Sequence, residues 1–208
     1  PEMLAALSDA ARRMGRTAAV HVKVDTGMTR VGVRPEEALP LCRAVAADPH
    51  LRLTGVSTHF ASAEDEELAR AEAQWERFSP LVEELRTWSP RPTLHAANSA
   101  AALWFAPARL DCVRGGLLTY GVPPAPRALP FDVTPVASLQ ARIVQIREVP
   151  AGAAVSYGGT WVAPRPSRLA LVPLGYGDGY PWMLSNRGEA LVRGRRVPIR
   201  GRVCMDQL

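Results

Sequence analysis

Five residues, Val122-Pro123-Pro124-Ala125-Pro126, divide this chain into two parts that follow different patterns. Proline fixes φ and lacks an N–H, so this stretch suits neither a helix interior nor a central strand. Before it, short apolar runs alternate with helical periodicity, the signature of strand–helix units and a parallel sheet with right-handed crossovers. After it come short strands separated by Gly and Pro turns. A closed (β/α)8 barrel needs about 250 residues, so only about half of one fits ahead of the prolines. The expected fold class is therefore α/β: a partial (β/α)8 barrel over residues 1–122, a linker over 123–133, and the start of a mostly β domain over 134–208. The chain opens on a helix pattern and stops just after a strand, so both ends read as cuts through a larger protein.

Within the first part, residues 18–24 read as a buried strand and 35–47 as a helix opened by proline in its first turn. Residues 51–60 read as the next strand. Ser62, followed by Glu64-Asp65-Glu66-Glu67, suits a helix N-terminus. Leu68, Ala71, Trp75, Phe78, Val82 and Leu85 then form one apolar helical face. Residues 93–97 read as a third strand, 100–105 as a short helix and 110–113 as a fourth strand. In the second part, residues 136–149, 169–174, 189–192 and 197–203 read as strands.

Composition excludes several classes. No apolar run approaches the ~18 residues of a membrane span. The net charge of +5 could suggest nucleic acid, but the arginines are scattered except over residues 187–202, where they alternate with Val192, Val197, Ile199 and Val203 as in a solvated hairpin. Three distant cysteines, Cys42, Cys112 and Cys204, form no metal-ligand spacing and fit a reducing cytosol, so the expectation is a cytoplasmic protein without a metal. Arginine has replaced lysine almost everywhere: Lys23 is the only lysine in the chain. Its survival within His21-Val22-Lys23-Val24-Asp25-Thr26-Gly27-Met28-Thr29-Arg30 marks that segment.

In a parallel α/β fold, functional residues gather at the carboxyl ends of strands. Arg30 follows the first strand, His59 the second, Asn98-Ser99 the third and Arg114-Gly115-Gly116-Leu117 the fourth. Taken singly, these are a solvated arginine, a satisfied histidine, a helix cap and a glycine turn. Together they make a rim for an anionic, phosphorylated ligand, since helix N-termini present free N–H groups to phosphates. In the second part, Ser156-Tyr157-Gly158-Gly159 and Gly175-Tyr176-Gly177-Asp178-Gly179-Tyr180 place tyrosines in glycine-rich turns, and Cys204-Met205-Asp206 follows a strand.

These motifs, in this order over residues 21–208, closely resemble bacterial alanine racemase. The resemblance rests on the segment from Lys23 to Arg30, on Thr58-His59-Phe60-Ala61, Ala97-Asn98-Ser99-Ala100 and Arg114-Gly115-Gly116-Leu117-Leu118-Thr119-Tyr120-Gly121. In the β part it rests on Val155-Ser156-Tyr157-Gly158, Gly175-Tyr176-Gly177-Asp178-Gly179-Tyr180, and the run from Gly201 through Cys204-Met205-Asp206 to Gln207. It implies a pyridoxal 5'-phosphate barrel with a β domain, a homodimer with shared active sites, and interconversion of L- and D-alanine to supply cell-wall peptidoglycan. Carried over by position, Tyr157 is one acid/base group and reaches the partner's cofactor. Arg114 faces the pyridine nitrogen, and His59 contacts that arginine and the tyrosine. Ser99, Gly116 and Leu117 contact the phosphate, with Asn98 beside them. Arg30 lies near the cofactor's phenolic oxygen and the substrate carboxylate. Tyr176, Met205 and Asp206 line the substrate side. Lys23 matches a lysine that is often carbamylated and orients Arg30, so the family's cofactor-bonding lysine has no counterpart here. A phenol titrates near about 10; as a base Tyr157 needs hydrogen-bonded cationic support.

Two other readings stand beside this one. A serine or broader amino-acid racemase, or a decarboxylase, could use the same scaffold, although decarboxylase relatives place an acid where Arg114 stands. A non-catalytic pyridoxal-phosphate carrier would lack the β domain that brings Tyr157.

Overall fold

The computed structural model describes residues 2–208, in two compact units divided between Ala137 and Ser138. In the first unit, helix α1 (Glu2–Arg13) leads into strand β1 (Ala18–Lys23), helix α2 (Pro35–Ala47), strand β2 (Leu51–Ser57), helix α3 (Ala69–Arg86), strand β3 (Thr93–His95), and the short helices α4 (Ser99–Trp104) and α5 (Gly116–Thr119). The sheet has order β1-β2-β3, every pair parallel. In β1 only Val22 is buried, whereas β2 is buried at Leu51, Leu53 and residues 55–57 and β3 at Leu94 and His95; Val22, Val56 and Leu94 join Cys42, Val45, Phe78, Val82 and Leu85 of the helices in one apolar core. That is the packing the helical face of α3 anticipates. Helix α2 spans the residues read from sequence, with Pro35 in its first turn, and the Glu37 carboxylate accepts from the Arg34 N–H at 3.1 Å.

Three local expectations are corrected. Residues 61–68 are turns, and α3 begins at Ala69 without a side-chain cap. The Ala61 N–H donates to the buried Gln74 side chain at 2.8 Å and Ala63 is fully buried, so this loop is drawn across α3 instead of extending it. Strand β2 ends at Ser57 because the His59 carbonyl accepts from Gln74, outside the sheet ladder. The fourth strand is a single bridge, His95 to Cys112. There the Asp111 carboxylate accepts the Leu94 N–H at 2.7 Å, a side chain standing where ladder bonds would continue.

The second unit is mostly β. Strand β4 (Gln145–Val149) pairs antiparallel with β7 (Ser167–Leu171), β5 (Ala154–Val155) with β6 (Trp161–Val162), and β8 (Glu189–Val192) with β9 (Arg195–Pro198). The strand expected over residues 136–149 is confined to its last third, and residues 122–144 carry no regular element. The strands expected over 169–174 and 197–203 are shifted and shortened to β7 and β9. The arginine-rich hairpin is exposed along β9 and turns at Arg193 and Gly194, both with positive φ. Among the described residues no helix is long and apolar enough to cross a membrane, and no group of His, Cys, Asp or Glu could hold a metal.

Candidate functional site

In the first unit the carboxyl ends of β1, β2 and β3 form one rim. After β1 the chain makes a loop pinched at its base: the Asp25 N–H donates to the Val33 carbonyl at 2.8 Å, and the Val33 N–H to the Lys23 carbonyl at 2.9 Å. Gly32 permits this approach, since a Cβ there would lie 2.7 Å from the Asp25 nitrogen, at a φ of +129° that side chains avoid. At the loop's start one Asp25 carboxylate oxygen accepts the N–H groups of Gly27, Met28 and Thr29, each at 3.0 Å. Those N–H bonds, Thr29's foremost, hold the Asp25 carboxyl below its ordinary range. The loop thereby turns back over the strand end, and Lys23, Arg30 and His59 line one cleft. Burial lowers the Lys23 pKa, and the nearby Arg114 and Arg30 cations lower it further against the opposing pull of Asp25.

Arg114 is the hub. Its backbone N–H donates to the Ala97 carbonyl at 2.9 Å. One guanidinium nitrogen donates to His95 Nδ1 at 2.7 Å; the other reaches the Thr58 carbonyl at 2.8 Å, His59 Nδ1 at 3.0 Å and the Ala96 carbonyl at 3.0 Å. A guanidinium only donates, so both imidazoles accept at Nδ1 and carry their proton at Nε2. Burial pushes the pKa of His59 and of His95 down to about 4, and Arg114 adds to it, so both rings stay neutral at physiological pH. From His95 the Nε2–H points to His21 Nδ1, 3.2 Å away.

Ser99 joins the next two strand ends. Its hydroxyl donates to the Gly115 carbonyl at 2.7 Å and accepts the Leu118 N–H at 3.3 Å. A Cβ at Gly116 would lie 3.5 Å from the Ser99 oxygen, so the glycine leaves the start of α5 open to an incoming group. Asn98 caps α4, its Oδ1 accepting the Ala101 N–H at 2.9 Å, and its amide donates to the Phe60 carbonyl at 3.3 Å. The ordinary cap role is thus filled, and the same side chain ties the ends of β2 and β3. Leu117 is exposed on α5.

The second unit gathers the remaining candidates around residues 201–206. Ser156 adopts a φ of +63°, rare outside glycine. It is held there by its hydroxyl, which donates to the Arg202 carbonyl at 2.8 Å and lies 3.6 Å from the Cys204 sulfur. Tyr157 follows with 71% of its surface exposed. The Tyr176 N–H donates to the Cys204 carbonyl at 2.9 Å and the Gly177 N–H to the Met205 carbonyl at 2.7 Å. Tyr176 and Met205 therefore sit on one exposed turn cluster with Asp206 beside them, while Ser156, Tyr157, Gly158 and Cys204 line an open cleft.

The sequence offers neither His95 nor Gln74 as a site residue, and Cys204 only as a member of its motif. His95 lies just ahead of the Ala97-Asn98-Ser99-Ala100 motif. Gln74 lies three residues after Ala71 and four before Phe78, a polar residue on an apolar helical stripe, and that position was its signal.

Residues 1–124 match the family profile described as "Alanine racemase, N-terminal domain", and residues 136–208 match "Alanine racemase, C-terminal domain". Among curated relatives, the alanine racemase of Desulfovibrio desulfuricans is 45% identical over 208 residues, covering 99% of this chain and 56% of its own length. Among solved structures, alanine racemase from Streptomyces coelicolor superposes with a TM-score of 0.89 at 38% identity, covering 99% of this chain and 56% of that one. Alanine racemase from Bartonella henselae, solved with covalently bound pyridoxal phosphate, gives a TM-score of 0.77 at 27% identity, covering 99% and 56%. The chain spans about half the length of the relatives it matches.

Proposed function

This chain belongs to the alanine racemase family, joining a barrel-type N-terminal domain to a mostly β C-terminal domain, and from that premise we propose that it carries most of the active-site rim of a pyridoxal-phosphate-dependent enzyme interconverting L- and D-alanine. The observation that carries the reading is the Arg114 fork. A permanent cation stands half-buried at the strand-end rim between two imidazoles, which it holds in one tautomer and, together with their burial, keeps neutral.

The residues fit the cofactor. The Ser99 hydroxyl, turning its one proton from the Gly115 carbonyl, would hold the phosphate together with the N–H groups of Gly116 and Leu117 at the start of α5, and the missing side chain at Gly116 leaves the room. Pyridoxal phosphate, when bound, supplies delocalisation of the negative charge left at the amino acid's Cα. Arg114 would face the ring nitrogen. Because a guanidinium does not give up its proton, it would leave that nitrogen unprotonated, which limits delocalisation and suppresses side reactions such as transamination. The covalent bond to the cofactor would come from a lysine outside these 208 residues. Lys23 instead shares a cleft with Arg30; its lowered pKa raises the share of neutral amine, the form that can be carbamylated and so orient Arg30 toward the substrate carboxylate.

Racemisation removes a proton from one face of Cα and returns one to the other. His59 accepts from Arg114 at Nδ1, so its Nε2–H is free to donate to a phenolate oxygen. That bond would stabilise Tyr157 as a base, supplied to this rim by a second protomer. Tyr176, Met205 and Asp206 of that protomer would close the substrate side, and Asn98 would hold Phe60 and α4 in place behind the cofactor. Positioned acid/base groups contribute about 10²–10⁴-fold, so Tyr157→Phe in the full-length protein is expected to slow Cα–deuterium exchange at least about a hundredfold from one alanine enantiomer. Unchanged exchange from both enantiomers would remove Tyr157 as a base.

A further inference from the structure

We propose that Gln74 is a positioning residue for this reaction, setting the place of His59 from the helix behind the rim; the inference rests on the racemase reading above. Gln74 is 3% exposed on α3, and its side-chain amide makes three bonds. Its Nε2 donates to the His59 carbonyl at 3.0 Å and to Thr26 Oγ1 at 3.0 Å, while Oε1 accepts the Ala61 N–H at 2.8 Å. Both donors are engaged and the oxygen is engaged, so the amide has one orientation.

The direction of the bonds continues inward. Thr26 Oγ1 accepts from Gln74, leaving its proton for Thr58 Oγ1, 2.7 Å away. Thr58 in turn donates to the Val24 carbonyl at 3.0 Å. Thr26 and Thr58 are 1% and 0% exposed, so no solvent competes for these bonds. The chain Gln74 to Thr26 to Thr58 to Val24 therefore runs one way and fastens the end of β2 to the loop after β1. One loop leads to Arg30 and the strand end carries His59. From the rim side, Arg114 grips the same two residues through the Thr58 carbonyl and His59 Nδ1. His59 is thus held at its ring by Arg114 and at its backbone by Gln74.

The turn is shaped for this approach. Gly27 adopts φ +142°, and a Cβ there would stand 3.3 Å from the Gln74 side chain and 3.2 Å from Arg77, whose guanidinium donates to the Thr26 carbonyl at 2.7 Å. A buried amide on an apolar stripe, fully bonded to loop backbone and to a buried hydroxyl, does what the neighbouring apolar residues cannot: it fixes loop position with direction as well as contact.

The test uses the full-length holoenzyme. Gln74→Met keeps the volume and removes the three bonds. Gln74→Glu, assayed above pH 8, keeps the acceptor for Ala61 and removes both donors, so it carries the test if the Met variant does not fold. Either variant is expected to lower kcat for alanine about tenfold with KM changed less than about twofold. In a His59→Ala background the same substitution should lower kcat by less than about twofold more, because the residue it positions is gone. Wild-type kcat in the Glu variant, or an equal tenfold loss with and without His59, would overturn the positioning role while leaving the racemase reading intact. A wild-type protein that loads pyridoxal phosphate but does not racemise alanine would overturn both.

Discussion

Phe60, Phe78, Leu85 and Leu94 of the first unit are each at most 1% exposed, within a core that also takes in side chains from α2, α4 and β1. Among the described residues of the second unit, the buried hydrophobic side chains are Ala163, Ile199 and Val203, while Ile146, Leu191 and Met183 stand 55%, 70% and 73% exposed. The candidate sites differ in the same way. Arg114 and His59 are half-buried and bonded within their own unit; Tyr157 is presented to solvent on a turn that the Ser156 hydroxyl fastens to the Arg202 carbonyl. One unit fixes a charge frame in place. The other presents Tyr157 and Tyr176 outward, as the role proposed for Tyr157 at a second protomer's rim requires.

The contrast is broken or sharpened first in the cores. Phe78→Ala should destabilise the first unit by about 3–5 kcal/mol, the usual cost of emptying a well-packed aromatic site. Leu191→Ala, on an exposed strand, should shift stability by no more than about 0.5 kcal/mol. Urea unfolding followed by circular dichroism measures both, and similar costs at the two positions would erase the distinction.

Acid separates the units next. All four histidines, His21, His50, His59 and His95, lie in the first unit. With folded pKa values of about 4 for His59 and His95, below an unfolded value of 6.5, the unfolded state binds more protons between those limits. Stability is then fully present above about pH 6.5, falls as pH drops toward 4, and is lost for these groups below it. Hydrogen exchange in β1 and β2 should quicken over that window while exchange in β8 and β9 keeps its intrinsic pH dependence. Equal acid sensitivity in both units would contradict the neutral assignment of the rim imidazoles.

The smallest expected effect concerns Asn98. Asn98→Ala removes the cap of α4 and the tie to Phe60, and should cost the first unit about 1 kcal/mol in the same unfolding assay. No loss would mean that the rim does not depend on this tie.

Much of this was legible in the sequence because it depends on period and punctuation. Pro35 and the apolar spacing behind it give α2 its bounds, and strand ends in a parallel sheet bring Arg30, His59, Ser99 and Arg114 to one edge. What escaped depends on partners distant in sequence. Ser62 and the acidic run after it make a good local start signal, yet Gln74 takes the Ala61 N–H and the loop stays unwound. Residues 110–113 look like a strand, but Asp111 intercepts the bonds a ladder would use. His95 resembles any strand histidine until Arg114 is seen to donate to it across 19 positions. In the second unit, short strands with exposed faces leave weak alternation: the strand over 189–192 keeps its expected bounds as β8, while the limits of β4, β7 and β9 differ from the expected ones by several residues.

The central claim is that the charge frame and the tyrosine act together across two protomers, and mixing subunits tests it most directly. Full-length Arg114→Gln and Tyr157→Phe proteins, each nearly inactive alone, would be denatured together in equal amounts and refolded with pyridoxal phosphate. Hybrid dimers would combine one intact Arg114 rim with one intact Tyr157, so the mixture should recover about a quarter of wild-type alanine racemisation if subunits pair at random. Hybrids that form, as differently tagged subunits would show, yet recover no activity above the separate variants would contradict a site shared in this way.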